Sequence, residues 1–91
     1  MRSDRENEKL SGIGAACLDW LVSDPTELER FMSLAGYSPQ TLRAAVGSEA
    51  LDAGLLDYLV SNEPALLAMC ANSGLKVDDV MRVWHRRNGD F

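Results

Sequence analysis

One segment of this chain occurs twice, 38 positions apart: residues 18–24 read Leu-Asp-Trp-Leu-Val-Ser-Asp, and residues 56–62 read Leu-Asp-Tyr-Leu-Val-Ser-Asn. The same offset relates residues 13–46 to residues 51–84 without a gap, through three successive points at which helices are expected to end. Identities arise easily by chance in Leu- and Ala-rich helices, but a gapless register through several helix ends does not. The sequence therefore predicts two tandem copies of one helical unit, related by a pseudo-twofold axis.

Each copy is predicted to contain three helices. In the first copy, apolar residues recur at helical spacing over residues 10–22. Asp24 is placed to cap the next helix, which should end at Gly36, and Ser38 begins the third. No stretch shows the two-residue alternation of an exposed strand. The predicted fold class is all-α, a compact bundle of about six helices. Helices one and four, apolar around most of their circumference, should pack at its centre.

Length and composition fit one small domain. The chain has 91 residues, of which 46% are hydrophobic and 25% charged, as is usual for a globular domain. We predict a polar N-terminal tail over residues 1–9 and a single helical domain over residues 10–88. The net charge of −5 works against attraction to nucleic acid or an anionic membrane. No run reaches the ~18 apolar residues of a membrane span. The two cysteines lack paired spacing, and the N-terminus lacks the apolar core of a signal peptide, so we expect a cytoplasmic protein.

The capping and packing residues resemble those of a known family. The pattern is Leu-Asp-Trp-Leu-x-x-Asp-Pro from residue 18, Phe31, Leu34-x-Gly36, Pro39-x-x-Leu42-Arg43, and Leu-Asp-Tyr-Leu-x-x-x-Glu-x-x-Leu from residue 56. It resembles the bacterial family catalogued as domain of unknown function 3572, over roughly residues 18–83. The resemblance implies a small helical protein of uncharacterised function and supplies no catalytic residue. The sequence departs from that pattern at residues 84–87, so a function built on them would be peculiar to this protein.

Cysteine and histidine offer no recognisable metal or catalytic site. Cys17, Cys70 and His85 are too few and too scattered for a zinc site, which needs about four ligands at characteristic spacing. In the repeat, Cys17 aligns with Leu55 and Cys70 aligns with Met32. Both thiols are therefore expected in the core, where free cysteine behaves as a small hydrophobic side chain.

The remaining candidate motifs are equally weak. Asp19 and Asp57 are identical in the two copies, but two carboxylates give too few ligands for a strong cation site, and we expect both on solvent-facing strips. The glycines at residues 12 and 14 are too close together for a nucleotide-binding fingerprint, and no nucleophile elbow is present. We therefore expect no cofactor, no metal and no enzymatic activity.

Two functions remain. The first is a protein–protein interaction or regulatory module without catalytic activity, whose partner is another protein or a second copy. Its candidate surface combines apolar residues that need not all fit in a small core with basic residues of helix six. This predicted partner surface consists of Leu34, Tyr37, Leu67, Arg82, Trp84, His85, Arg86 and Arg87. The competing interpretation of Trp84 is core, because it aligns with Val46.

The alternative is nucleic-acid binding by a helix-turn-helix-like pair, helices five and six. The spacing of Gly74, Leu75 and Val80 and the basic end of helix six favour it. Against it, a recognition helix contacts bases mainly through its N-terminal residues, and here that place holds Asp78 and Asp79. Antiparallel helices that end at glycine produce the same spacing without DNA, so this interpretation ranks second.

Overall fold

Six α-helices make up most of the chain. The computed structural model describes the backbone of residues 2–89 and the side chains of residues 8–89. The helices are α1 (Arg2–Val22), α2 (Pro25–Ala35), α3 (Pro39–Ala45), α4 (Glu49–Val60), α5 (Glu63–Ser73) and α6 (Val77–Arg87). The chain forms no strand between residues 2 and 89. The prediction of an all-α fold with six helices is confirmed.

A side-chain oxygen caps each of the four helices from α2 to α5. The caps are Asp24, Ser38, Ser48 and Asn62, and each accepts a hydrogen bond from the backbone N–H three residues further on, at 3.4, 3.1, 3.1 and 3.5 Å. These bonds satisfy N–H groups that have no partner inside the helix. Asp24 and Ser38 begin helices as predicted, and the repeat places Asn62 at the position that corresponds to Asp24.

The helix ends in the two halves of the chain follow the offset of 38 residues. Helices α2 and α5 run over 25–35 and 63–73, α1 and α4 end at residues 22 and 60, and α3 and α6 begin at residues 39 and 77. Gly36 and Gly74 end α2 and α5, as predicted, with left-handed φ values of 83° and 81° that favour glycine. A superposition of residues 13–46 on residues 51–84 is the test of the repeat itself, whose pseudo-twofold symmetry stays a prediction.

The core lies where α1 crosses α4, the pair of helices in most extensive contact. The central position predicted for these two helices is therefore confirmed. Their fully buried side chains include Cys17 and Leu21 on α1 and Leu55 and Leu59 on α4, all 0% exposed. Helices α2, α5 and α6 cover this centre, each with a buried apolar side chain against it.

Helix α1 differs from the sequence prediction in where it begins and in how exposed its last residue is. It begins at Arg2, well before the predicted start near Leu10, because residues 2–9 contain no proline or glycine that would stop a helix. Leu10 is 1% exposed, whereas Val22, which was assigned to a broad apolar arc, is 60% exposed. The apolar face of α1 is thus narrower at its C-terminal end than predicted, and it begins at Leu10. The division into a tail (1–9) and a domain (10–88) stays a prediction. None of the helices in the described part of the chain has the length and apolarity needed to cross a membrane.

Candidate functional site

A groove with a volume of about 630 Å³ lies between the N-terminal half of α1 and α6, and we call it the α1–α6 groove. Its floor is apolar. The floor consists of Gly12 and Ile13 from α1, Leu75 from the turn before α6, and Val80 and Val83 from α6. Val80 is fully buried and joins the floor to the core, whereas Leu75 and Val83 are half-buried. The groove therefore exposes apolar surface that the described side chains, those of residues 8–89, do not cover.

Charged side chains form the rim of the α1–α6 groove. Four are basic and two are acidic: Lys9, Arg82, Arg86 and Arg87 against Glu8 and Asp79. The chain as a whole carries a net charge of −5, whereas the described side chains of this rim include more cations than anions. A cleft lined mainly by one sign of charge raises the local concentration of ligands of the opposite sign. The rim therefore favours an acidic ligand.

Helix α6 is fixed to α4 by two polar contacts at its C-terminal end. The indole N–H of Trp84 donates a hydrogen bond to Oδ1 of Asp57 over 2.9 Å. The guanidinium of Arg87 forms an ion pair with Glu49, with 3.1 Å between Nη1 and Oε2. Together with the burial of Val80, these contacts hold α6 as a wall of the groove. Of the rim arginines, Arg82 is further paired with Asp79 within α6, at 3.2 Å.

Three of the eight residues of the predicted partner surface line the groove: Arg82, Arg86 and Arg87. His85 lies in a second depression, shared with Asp78 and Met81 as well as two of these arginines. Trp84 fits neither the core nor the surface interpretation completely. Its ring is half-buried against the core, and its N–H is bonded to Asp57.

The other three residues of that surface are not part of the groove. Leu34 is 73% exposed at the end of α2, and Leu67 is 49% exposed on α5. Tyr37 is half-buried, and its ring stacks on Phe31 with 6.0 Å between the ring centroids. Whether these residues bind a partner stays a prediction.

Sequence reasoning missed the α1 side of the groove. Glu8 and Lys9 were assigned to a polar tail, and Gly12 was considered only as part of a possible nucleotide fingerprint. A usable signal was present, because Leu10, Ile13 and Cys17 continue one helical face and no helix breaker precedes them.

Asp52, a buried acid that the sequence did not single out, lies where α1 and α4 cross. It is 6% exposed, and a Cβ built on Gly14 would overlap its side chain. The two helices approach each other closely at this point because Gly14 has no side chain. Burial raises the pKa of the Asp52 carboxyl above its usual range, since a low-dielectric environment disfavours the charged form.

Both thiols are buried, as predicted. Burial is the main cause that raises the pKa of Cys17 to about 12, and the neighbouring Cys70 and Asp52 add to it. Burial also raises the pKa of Cys70. Because the thiolate is the nucleophilic form of cysteine, neither residue has the environment of a reactive thiol. Within the described part of the chain, no three side chains of His, Cys, Asp or Glu are grouped so that they could hold a metal ion.

A comparison with protein families matches residues 8–90 to the model described as protein of unknown function (DUF3572). The matched range includes the α1 residues of the groove as well as all of α6. No curated protein matches the chain significantly, and no solved structure does.

Proposed function

The chain belongs to the DUF3572 family, and we propose that it is a protein-interaction module without catalytic activity, which binds its partner in the α1–α6 groove. One observation carries the proposal: the described side chains leave an apolar floor uncovered beside a well-packed core, and charged side chains surround it. Grooves with this distribution of apolar and charged side chains recur as binding sites for segments of other proteins.

The noncatalytic part of the proposal rests on the environment of the nucleophilic side chains. Cys17 and Cys70 are 0% and 4% exposed and lie in the core, not in the groove. Their raised pKa values keep both thiols protonated at neutral pH. The groove instead offers guanidinium and ammonium groups, which bind and orient carboxylates.

Nucleic-acid binding by α5 and α6 remains the second candidate, favoured by the exposed basic residues at the end of α6. One observation ranks it lower: Asp78 and Asp79 occupy the first turn of α6, where a recognition helix would meet the bases.

Capture from an extract of the producing cells tests the proposal with a pair of matched variants. A Cβ on Gly12 meets no atom within 4 Å, and this residue lines the groove, so Gly12→Leu should fill the groove without disturbing the core. A Cβ on Gly54 also meets nothing within 4 Å, but this residue lies on α4 outside the groove lining. We expect the native chain and Gly54→Leu to retain the same partner protein, and Gly12→Leu to lose it.

Two results would contradict the proposal. One is equal capture by all three proteins, which would place binding elsewhere on the surface. The other is capture that nuclease treatment abolishes and that weakens steeply with added salt, because release of counterions is the signature of phosphate binding. The second result would promote the candidate of nucleic-acid binding.

A further inference from the structure

Building on this proposed function, we infer that the segment bound in the α1–α6 groove is an acidic amphipathic α-helix of about three turns. The inference concerns the partner's chemistry at this one site. It rests on the secondary structure of the groove walls, on the length of the floor and on the charge of the rim.

The walls of the groove favour a helix over an extended segment. Extended segments gain affinity mainly through main-chain hydrogen bonds to an unpaired sheet edge. Both walls here are helices, α1 and α6, whose interior N–H and C=O groups are already bonded within the helix. A helix satisfies its own backbone groups, so it can lie over an apolar floor without hydrogen bonds from the walls.

The length of the floor fits a short helix. From Asp79 to Arg87 the α6 wall extends for about 12 Å at 1.5 Å per residue, and Leu75 lengthens the floor beyond it. Three helical turns span about 16 Å. Val80 is fully buried, whereas Leu75 and Val83 are half-buried, so these two floor residues offer apolar surface to a partner. Apolar anchors at positions i, i+3 or i+4, and i+7 of a partner helix would pack against a floor of this length.

The rim sets the charge of the partner helix. Lys9 lies on the α1 side and Arg82, Arg86 and Arg87 lie on the α6 side, so carboxylates on both flanks of a bound helix would meet a cation. The carboxylate partners of Arg82 and Arg87, Asp79 and Glu49, are 57% and 59% exposed. Exposed pairs of this kind contribute about 0–1 kcal/mol, so the carboxylates of a partner can replace them at little cost. A basic helix would instead face an excess of like charge.

Selection from a library of random peptides of about 16 residues tests the inference without knowledge of the natural partner. The library is selected on the full chain and counter-selected on Gly12→Leu, so that only groove-dependent peptides survive. We expect surviving peptides to carry apolar residues at helical spacing, to contain more Asp and Glu than Lys and Arg, and to become helical on binding. Arg82→Glu or Arg87→Glu should weaken their binding at least tenfold, whereas Arg43→Glu on α3, outside the groove lining, should not.

The outcomes separate this inference from the proposed function. Surviving peptides that are basic, or that bind without becoming helical, would overturn the acidic helix and leave the groove as a protein-binding site. The absence of any groove-dependent peptide would overturn both. Two further measurements address other occupants. Saturable binding of decanoate that Gly12→Leu abolishes would assign the groove to an anionic lipid. Self-association that Gly12→Leu abolishes, seen by sedimentation, would assign it to a second copy of the chain. Either result would overturn the inference.

Discussion

The close approach of α1 and α4 at Gly14 predicts how the substitution Gly14→Ala changes the stability of the protein. A Cβ at this position would lie 2.5 Å from Cγ and 2.7 Å from Cβ of Asp52, and it would overlap Oδ1 as well. These contacts include an atom next to the backbone of α4, so the two helices must shift to relieve them. Gly14→Ala should therefore carry an overpacking cost of about 1–3 kcal/mol. Replacing glycine by alanine inside a helix otherwise stabilises by about 0.5–1 kcal/mol.

The matched control for this substitution is Gly54→Ala. Gly54 also lies inside a helix, but a Cβ there meets no atom within 4 Å, so only the gain in helix propensity remains. Urea and thermal unfolding, followed by circular dichroism, should rank Gly14→Ala below Gly54→Ala by the overpacking cost. In a domain of this size, 1 kcal/mol corresponds to about 4–8 °C in Tm.

The reasoning would be refuted if Gly14→Ala were as stable as Gly54→Ala. A double-mutant cycle locates the cause. Asp52→Gly removes all three atoms that the new methyl group would overlap. The cost of Gly14→Ala should therefore largely disappear in that background, with a coupling energy of about 1–3 kcal/mol between the two positions. Independent, additive effects would show that another neighbour resists the added carbon.

Three further predictions concern the core. Leu59→Ala should destabilise the protein by about 2–5 kcal/mol in urea unfolding, because this side chain is 0% exposed, whereas Leu67→Ala at 49% exposure should cost clearly less. Asp52→Asn should stabilise the protein at neutral pH. Because the pKa of Asp52 is raised, the folded state holds this proton more tightly than the unfolded state does. The stability of the native protein should therefore fall as pH rises from about 4 through the raised pKa. Below about pH 4 the carboxyl is protonated in both states, so the advantage of the variant should vanish. Cys17 and Cys70 should react with a thiol reagent only as fast as the protein unfolds, and rapid labelling of the native protein would contradict their burial.

Local chemistry explains which parts of the fold were predictable. Helix caps act on neighbouring backbone atoms, as Asp24, Asn62 and the glycines that end α2 and α5 do. Their residue types alone therefore indicate where a helix begins or ends. The burial of both thiols followed from their apolar counterparts in the other copy. The start of α1 was missed because a charged segment satisfies the rules for a tail and for an exposed helix equally well.

Contacts between helices distant in sequence were not predictable in this way. The hydrogen bond from Trp84 to Asp57 depends on how α6 approaches α4. The sequence alone therefore did not decide whether Trp84 lies in the core or on the surface. The contact of Gly14 with Asp52 is easier to predict from the sequence. Gly14 and Asp52 are 38 positions apart, which is the offset of the predicted repeat, and a twofold axis close to such a pair would bring its two residues together. A glycine at one of two such positions and an acid at the other indicate that the helices approach closely there. The inference requires that the position of the axis be known.

The groove itself lies where the two halves of the chain cease to match. Helix α3 ends at Ala45, whose counterpart is Val83, whereas α6 continues to Arg87. That additional turn supplies the anchor Trp84 and two of the rim arginines. On the other wall, α1 extends towards the N-terminus beyond the part that corresponds to α4, and this extension carries Glu8 and Lys9. The unmatched ends of α1 and α6 supply four of the six rim side chains, namely Glu8, Lys9, Arg86 and Arg87. The corresponding helices of the other half, α4 and α3, have no such extensions, and this asymmetry favours one partner helix per chain for the binding proposed here.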